Sequence, residues 1–496
     1  MIDPRISATR GSVWAALTFA GALFGLVSGT AEARPNVLFI AVDDLRNELG
    51  VYGSAVVHSP RLDRLAERSL VFDRAYCQQA LCNPSRASVM TGLRPDTLRV
   101  WDLPTHFRET MPGIVSLPQH FKAHGYFTQN IGKIFHNWRQ ELEGDPVAWS
   151  VPAVMHFNSH YNDEPVVLGS LPPNLATARK CEMRDVPDDA YFDGRIANIA
   201  IGALQKLAGG PDPFFLAVGF WKPHAPFNAP KRYWDIFERE SVPLPQDPFW
   251  PENAPEIARH DSREVLGSKG APPGEAEARE IHHGYLANIA YLDAQIGKVL
   301  DELSRLGLDK STIVVFWSDH GFHLGEHSLW AKTSNFEYDA RVPLMISVPG
   351  MKTAGQRTQS LAELLDLYPT IVDLCGLPTV AAMEGVSLRP VLEDVRAAPR
   401  SFALTQHPRP AYYQRAPDAM GYSVRSAMFR FTEWRDWRTG EVVARELYDH
   451  RVDPGETRNV SAESAYQNDL SASAHALRQF NPLVKAGWTP VLTAKP

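Results

Sequence analysis

Three short and uninterrupted apolar segments constrain the fold of this chain more than any other feature. They cover residues 36–42, 214–220 and 312–317, and β-branched and aromatic side chains are frequent in them. A strand that is apolar on both sides is typical of a parallel sheet with helices on both faces. We therefore expect at least three strands that are buried at the centre of such a sheet.

Amphipathic helical patterns accompany these segments. Apolar residues recur with a period of about 3.6 over residues 192–207, 275–306 and 361–374. Strands that alternate with such helices predict an α/β fold, with a mainly parallel central sheet sandwiched by helices. Two long segments, 145–189 and 242–274, are predicted to be loops and are candidate walls of a ligand cleft.

The pattern changes near the C-terminus. Residues 421–450 alternate as short strands with a Thr-Gly turn between them, and a helix is predicted over residues 465–478. This is typical of a smaller α+β subdomain with antiparallel strands. We therefore predict a main domain over residues 34–398 and a C-terminal subdomain over residues 399–496.

The N-terminus has the features of a targeting segment. Arg5 and Arg10 precede an uncharged apolar run over residues 13–27, and small residues lead to an A-x-A site that ends at Ala33. This pattern predicts a signal peptide over residues 1–33. The alternative is a membrane anchor, but the run is shorter than the ~20 residues that a bilayer span needs. We expect a periplasmic or secreted protein, with no stable membrane insertion after cleavage.

The charge balance excludes one class of partner. The 496 residues carry a net charge of −7, so the chain lacks the basic surface of a nucleic-acid-binding protein. Any polyanion must therefore be bound by local cations. The four cysteines are too few for a disulfide scaffold, and the sequence leaves their pairing open: Cys77, Cys82, Cys181 and Cys375.

The segment LCNPSR, residues 81–86, combines a nucleophile with a cation. Pro84 suits the first position of a helix, which puts Cys82 at the positive end of that helix. Arg86 follows one turn later on the same face. Such a site is suited to an anionic substrate. The alternative reading of Cys82 is a small buried apolar side chain.

Acidic residues follow two of the predicted strands. Asp43 and Asp44 come after the first, and Asp319 and His320 come after the third. Since the carboxyl ends of parallel strands line one crevice, we expect these side chains to meet. Adjacent carboxylates raise each other's pKa unless a cation lies between them, and their oxygens suit Ca²⁺ or Mg²⁺. Each pair alone is also compatible with a solvated turn or a helix cap.

Several motifs resemble those of one enzyme family. CNPSR with TGLRP resembles the sulfatases, a formylglycine-dependent family of the alkaline phosphatase superfamily, and further similar segments extend over nearly the whole mature chain: PNVLFIAVDDLR, GKIFH, KPHAPF, SDHGFHLGEHSLWAK and the ELYDH region. Within the family, the similarity is closest to enzymes that act on 2-O-sulfated iduronate. The resemblance implies an alkaline phosphatase-like fold and a catalytic role for the main domain.

The resemblance also implies a cofactor and a set of site residues. Cys82 is expected to be converted to 3-oxoalanine (formylglycine) by a formylglycine-generating maturation enzyme, and the hydrated aldehyde is the implied nucleophile. One Ca²⁺ per chain, with Mg²⁺ as an alternative, is expected at Asp43, Asp44, Cys82, Asp319 and His320. His320 departs from the Asn of many family members, and an imidazole is a softer ligand than an amide oxygen. The implied catalytic residues are Cys82, Arg86, Lys133, His136, His224 and Lys332.

The expected function is that of an exported sulfatase. Its expected substrate is a sulfated carbohydrate, with 2-O-sulfated uronic acid or another sulfated polysaccharide unit as the group attacked. One alternative is a phosphonate monoester or phosphodiester hydrolase of the same superfamily. Another is a non-catalytic glycan-binding protein with the same fold.

Overall fold

The computed structural model describes residues 34–136, 144–156, 181–267, 271–413 and 416–480. The predicted signal peptide and most of the predicted loop over residues 145–189 lie outside these ranges. Within them, no helix combines the length and the apolar character that crossing a membrane requires.

The strands alternate with helices along most of the chain. The strands are β1 Asn36–Asp43, β2 Leu70–Tyr76, β3 Phe127–Gly132, β4 Cys181–Arg184, β5 Phe214–Pro223, β6 Phe227–Pro230, β7 Thr312–Ser318, β8 His323–Leu324, β9 Trp330–Ala331, β10 Arg341–Ser347, β11 Arg357–Glu363, β12 Ala403–Arg409, β13 Ala419–Arg425, β14 Phe429–Asp436 and β15 Val442–Asp449. The helices are α1 Pro60–Ala66, α2 Cys82–Thr91, α3 Pro95–Leu98, α4 Phe107–Thr110, α5 Leu117–Ala123, α6 Phe192–Leu207, α7 Lys231–Trp234, α8 Arg263–Leu266, α9 Glu275–Arg305, α10 Glu337–Ala340, α11 Leu367–Leu374, α12 Arg389–Glu393 and α13 Gln467–Phe480.

A seven-stranded sheet of order β11-β2-β10-β7-β1-β5-β3 forms the centre of the molecule. The three apolar segments of the sequence are β7, β1 and β5, which lie side by side and pair in parallel. β10 runs antiparallel to both of its neighbours, and the remaining pairs are parallel. The predicted α/β fold with a mainly parallel central sheet is confirmed.

Alternate residues of β1 enter two different apolar cores, because successive side chains of a strand point to opposite faces. Val37 and Phe39 pack in a core that includes α2, α5 and α11. Leu38 and Ile40 pack in the other core, with α1, α6 and α9. The helices therefore cover both faces of the sheet, which explains why its central strands are apolar throughout.

The long helix α9 also completes the start of α1. Asp293 of α9 accepts hydrogen bonds from the backbone N–H groups of Arg61 and Leu62, at 3.0 and 2.7 Å. These amides have no partner within α1, so a carboxylate from another helix serves as the cap. The sequence predicted α9 nearly to its observed end, but not this contact.

One predicted helix begins later than its pattern suggests. Residues 361–363 belong to β11, which pairs in parallel with β2 at the edge of the sheet, and α11 begins at Leu367. The prediction of a helix from residue 361 is therefore wrong for these residues. The apolar pattern of residues 361–374 indicates only that one side of the segment is buried. An edge strand beside β2 is also buried on one side, so the pattern does not distinguish it from a helix.

The C-terminal strands form a separate antiparallel sheet of order β12-β13-β14-β15, against which α13 packs. β12 begins just after the predicted boundary at residue 399. Thr405 and Gln406 of β12 bond to the backbone carbonyls of Cys77 and Gln78, at 2.8 and 2.9 Å. These contacts join the second sheet to the main core, and the described residues from Pro35 onward form one compact unit.

Candidate active site

The functional residues lie at the carboxyl ends of neighbouring parallel strands. Val42 of β1 pairs with Ser318 of β7, and Asp43 pairs with Pro223 of β5. The segments that follow these strands therefore leave the sheet at the same edge. This brings together side chains from residues 43–44, 319–320 and 224.

Cys82 lies at the start of α2, where the helix presents its positive end. The helix begins two residues earlier than predicted, so Pro84 is its third residue rather than its first. Cys82 is 2% exposed. Its Sγ lies 3.4 Å from Oδ1 of Asp43 and 3.3 Å from Nε2 of His320.

The other four predicted metal ligands lie close to this sulfur atom. Ligand atoms of Asp43, Cys82, Asp319 and His320 lie within 4.8 Å of one another, and all four residues are buried. Asp44 joins Asp43 and Cys82 in an overlapping group that also includes His224. Asp44 has a left-handed backbone with φ 65°, which turns the chain sharply after β1.

The donor set fits a hard divalent cation. Nδ1 of His320 lies 3.0 Å from the Gly321 carbonyl, to which it donates, so in the neutral ring Nε2 is the acceptor. That Nε2 lies 3.4 Å from Oδ1 of Asp44 and 3.6 Å from Oδ2 of Asp319. Lone pairs that converge in this way repel one another, and a cation with oxygen and imidazole ligands would offset that repulsion.

The two adjacent aspartates differ in their electrostatics. Burial raises the pKa of Asp44 to about 8, and the negative charges of Glu264 and Asp43 add to this effect. Burial also acts on Asp43, but Lys133 and other nearby cations lower the pKa of Asp43 well below its usual value. Asp44 is therefore the carboxylate with the greater need for a further positive charge.

Arg86 is fully buried and holds the site together. Its Nε donates to Oδ2 of Asp319 at 2.8 Å, and its Nη2 lies 3.3 Å from Oδ1 of Asp43. The guanidinium also donates to the backbone carbonyls of Val42 and Lys133, at 3.1 and 2.6 Å. It thus binds segments from β1, β3 and β7 at once.

Lys133 reaches the site because two glycines let its backbone cross β5 closely. A Cβ at Gly219 would lie 1.9 Å from the Lys133 carbonyl oxygen, and Gly132 has φ +81°. The Lys133 ammonium forms an ion pair with Asp43. Burial lowers the pKa of His136 well below its usual value, and the nearby Lys133 lowers it further. His136 is therefore a neutral base beside a cation.

Lys332 and His224 both contact Glu264, a residue that the sequence did not indicate as part of the site. Oε1 of Glu264 accepts hydrogen bonds from Nζ of Lys332 at 2.8 Å and from Nε2 of His224 at 3.0 Å. Lys332 also donates to Oδ1 of Asp44 at 2.7 Å. Glu264 comes from the predicted loop over residues 242–274, where no motif or periodicity distinguishes it from the other acids.

Comparison with known proteins identifies the family. The family model for the sulfatases matches residues 35–377, and a second model, N-sulphoglucosamine sulphohydrolase, C-terminal, matches residues 325–481. Iduronate 2-sulfatase of Mus musculus is 35% identical over 89% of this chain and 93% of its own length. The chain belongs to the sulfatase family. This sulfatase is therefore a sulfuric ester hydrolase, as its motifs predicted.

Solved structures agree with the fold of this sulfatase. A protein in complex with its substrate D-glucosamine-2-N,6-O-disulfate superposes with a TM-score of 0.73 and 22% identity, over 91% of this chain and 98% of its own. A phosphonate monoester hydrolase of Agrobacterium radiobacter gives a TM-score of 0.74 and 22% identity, over 90% and 95%. The predicted alkaline phosphatase-like architecture is thereby confirmed.

Proposed function

We propose that this sulfatase is an exported enzyme that hydrolyses sulfate monoesters of carbohydrates, with 2-O-sulfated uronic acid as the preferred unit. The contact of Cys82 with Asp43 and His320, at the start of a helix, carries the proposal. It supports a site where a nucleophile at position 82 is held beside a bound cation. The 35% identity to an iduronate 2-sulfatase favours the uronic acid substrate.

The chemistry of the donor set favours an oxidised Cys82. A thiol is a soft ligand, whereas the aspartates around it suit a hard cation such as Ca²⁺ or Mg²⁺. Formylglycine at position 82, formed by a maturation enzyme, would replace the sulfur with oxygen and supply a hydrated aldehyde as nucleophile. The sulfur lies where such an oxygen is needed.

The proposed cation is Ca²⁺, with Mg²⁺ as an alternative. Its proposed ligands are Asp43, Asp44, Asp319, His320 and position 82. When bound, it supplies positive charge for the sulfuryl oxygens and for the attacking oxygen.

The remaining residues then divide into two groups. Arg86 and Lys133 offset negative charge around position 82, and His136, which is neutral, accepts a proton from that position in the step that releases sulfate. Lys332 binds a sulfate oxygen. His224 donates a proton to the sugar oxygen as the S–O bond breaks. A general acid of this kind contributes roughly 10²–10⁴-fold to the rate.

Export is proposed from the pattern over residues 1–33. A basic start, an apolar run and small residues up to Ala33 support cleavage before Arg34 and a periplasmic or secreted location. N-terminal sequencing of the protein from its native host tests this: the mature chain is expected to begin at Arg34, and a protein that retains Met1 contradicts export by this route.

The substrate is tested by sulfate release from defined oligosaccharides. The protein is produced with a formylglycine-generating enzyme and assayed on oligosaccharides that end in 2-O-sulfated uronic acid or in 6-O-sulfated glucosamine. We expect faster release from the uronic acid. A phosphonate monoester is assayed in parallel, because one structural neighbour is named for that activity. Faster hydrolysis of the phosphonate than of every sulfate ester would contradict the proposal.

A further inference from the structure

Glu264 is anchored to the same part of the fold as Lys332. It belongs to the short helix α8, and Val265 beside it packs into the core between the sheet and α9. The Ser262 hydroxyl, just before α8, accepts a hydrogen bond from the Trp330 backbone N–H at 2.9 Å. Trp330 is in β9, two residues before Lys332. The carboxylate and the ammonium are therefore fixed by one local packing arrangement.

Three segments of the chain donate hydrogen bonds to this carboxylate. Lys332 and His224 donate to Oε1, and the Tyr412 hydroxyl donates to Oε2 at 3.3 Å. Burial alone raises the pKa of Glu264, but Lys332 and His224 lower it below its usual value, so the carboxylate stays ionised. An anion with partners on both oxygens has one preferred orientation.

The site has an electrostatic reason to contain this negative charge. Glu264 places a negative charge within hydrogen-bond distance of both Lys332 and His224, in addition to that of Asp44, which lies 2.7 Å from Lys332 and 3.8 Å from His224. Nδ1 of His224 also lies 2.5 Å from the carbonyl oxygen of Ala225. Acceptors on both sides of the ring fix its plane and the direction of Nε2.

We propose that Glu264 is a positioning residue, which holds His224 and Lys332 in the arrangement that protonates the leaving oxygen and binds sulfate. The inference rests on the proposed roles of these two residues. As the oxygen at position 82 forms a bond to sulfur, the bond between sulfur and the sugar oxygen breaks, and both electrons of that bond remain on the sugar oxygen. When substrate is bound, the Nε2–H group of His224 donates to both Glu264 and the sugar oxygen. The sugar oxygen then takes this proton as its bond to sulfur breaks. Glu264 itself neither gains nor loses a proton.

The test compares two sulfate esters that differ in their need for a proton. A carbohydrate sulfate leaves as a strongly basic alkoxide, whereas 4-nitrophenyl sulfate leaves as a stable phenolate. For Glu264→Ala we expect kcat on the carbohydrate sulfate to fall by ~10²-fold and kcat on the nitrophenyl ester by less than ~5-fold. Glu264→Gln keeps an acceptor oxygen, so its loss on the carbohydrate sulfate is expected to be smaller, about tenfold or less.

Matched controls separate this effect from a general loss of structure. Glu256→Gln changes an acid of the same loop whose side chain is 77% exposed, and it should leave both activities unchanged. The thermal unfolding temperature of each variant is measured as well. Equal losses on the two esters by the correctly folded Glu264→Gln variant, or no loss on the carbohydrate sulfate by either variant, would overturn the inference.

Two further variants show which proposal has failed. If His224→Ala and Lys332→Ala retain full activity on the carbohydrate sulfate, the proposed roles of these residues are wrong. If both variants lose activity while the Glu264 variants do not, the proposed roles stand and the positioning role of Glu264 is wrong.

Discussion

Arg86 illustrates at the scale of single residues how charge is buried in this sulfatase. Its side chain is fully buried, as are those of Asp43 and Asp319, its two carboxylate partners. Burying an ion costs several kcal/mol unless its partners are in place. These three buried charges therefore stabilise one another. The loss of any one of them should lower the free energy of unfolding of the whole protein.

We predict that Arg86→Leu destabilises the protein strongly. The change leaves the buried Asp319 without its arginine partner and removes one of the cations that contact Asp43, so the free energy of unfolding should fall by about 3–5 kcal/mol. Denaturant unfolding measures this difference. Arg396→Leu is the control, because the side chain of Arg396 is 86% exposed and its ion pair with Asp394 is on the surface. Similar effects of the two substitutions would contradict the prediction.

Single residues also show where sequence reasoning succeeds and where it stops. The aspartates and Cys82 could be predicted because each follows a strand or opens a helix, and those positions converge in any parallel sheet. Glu264 could not, because its position depends on how a proline-rich loop folds over β9. Such a contact leaves no local pattern in the sequence.

At the scale of elements, β15 contains a buried acidic residue, Glu446. Glu446 accepts hydrogen bonds from the Trp434 indole N–H at 2.6 Å and from the Tyr448 hydroxyl at 2.8 Å. Burial raises the pKa of Glu446 to about 7. The native sheet therefore binds a proton that the unfolded chain, with a pKa of 4.5, releases at lower pH.

We predict that Glu446→Gln removes this pH dependence. Because the native pKa of Glu446 is raised, its stabilising contribution is complete below pH 4.5 and is lost as pH rises through 7. Glutamine does not titrate, so the variant should gain on the order of 2–3 kcal/mol relative to the native protein between pH 5 and pH 8. Denaturant unfolding at both pH values tests this. The control is Glu441→Gln, an exposed change in the same hairpin, whose stability relative to the native protein should be the same at both pH values. If the stability of Glu446→Gln relative to the native protein is also the same at both pH values, the prediction is wrong.

The elements differ in how well their sequence specifies them. β1, β5 and β7 were predictable because they are buried on both faces and are therefore apolar throughout. The edge strand β11 was not, since one covered face gives a pattern that a helix can also produce. The antiparallel direction of β10 depends on the path of the loop before it. The pattern of apolar residues in the sequence does not indicate that path.

At the scale of the whole molecule, the proposed cation links distant parts of the chain. Asp43 and Asp44 follow β1, Cys82 begins α2, and Asp319 follows β7. A ligand that binds the folded state but not the unfolded one stabilises the fold, by an amount that grows with the logarithm of its free concentration above Kd. The cation should therefore act on global stability as well as on activity.

We predict that Ca²⁺ raises the thermal unfolding temperature of the chelator-treated protein. At a concentration of about 100 times Kd, the stabilisation should be about 2.7 kcal/mol. Differential scanning calorimetry of the native protein and of Asp319→Asn measures it. The variant should respond much less to Ca²⁺ than the native protein does. An equal rise in both would indicate binding elsewhere.

The central claim is that an oxidised residue at position 82 is the nucleophile. Mass spectrometry of the peptide that contains residue 82 tests it most directly, with sulfate release measured on the same preparations. We predict that activity rises in proportion to the fraction of aldehyde at position 82, and that Cys82→Ala folds normally but is inactive. Full activity in a preparation whose Cys82 is entirely unmodified, or in Cys82→Ala, would contradict the account.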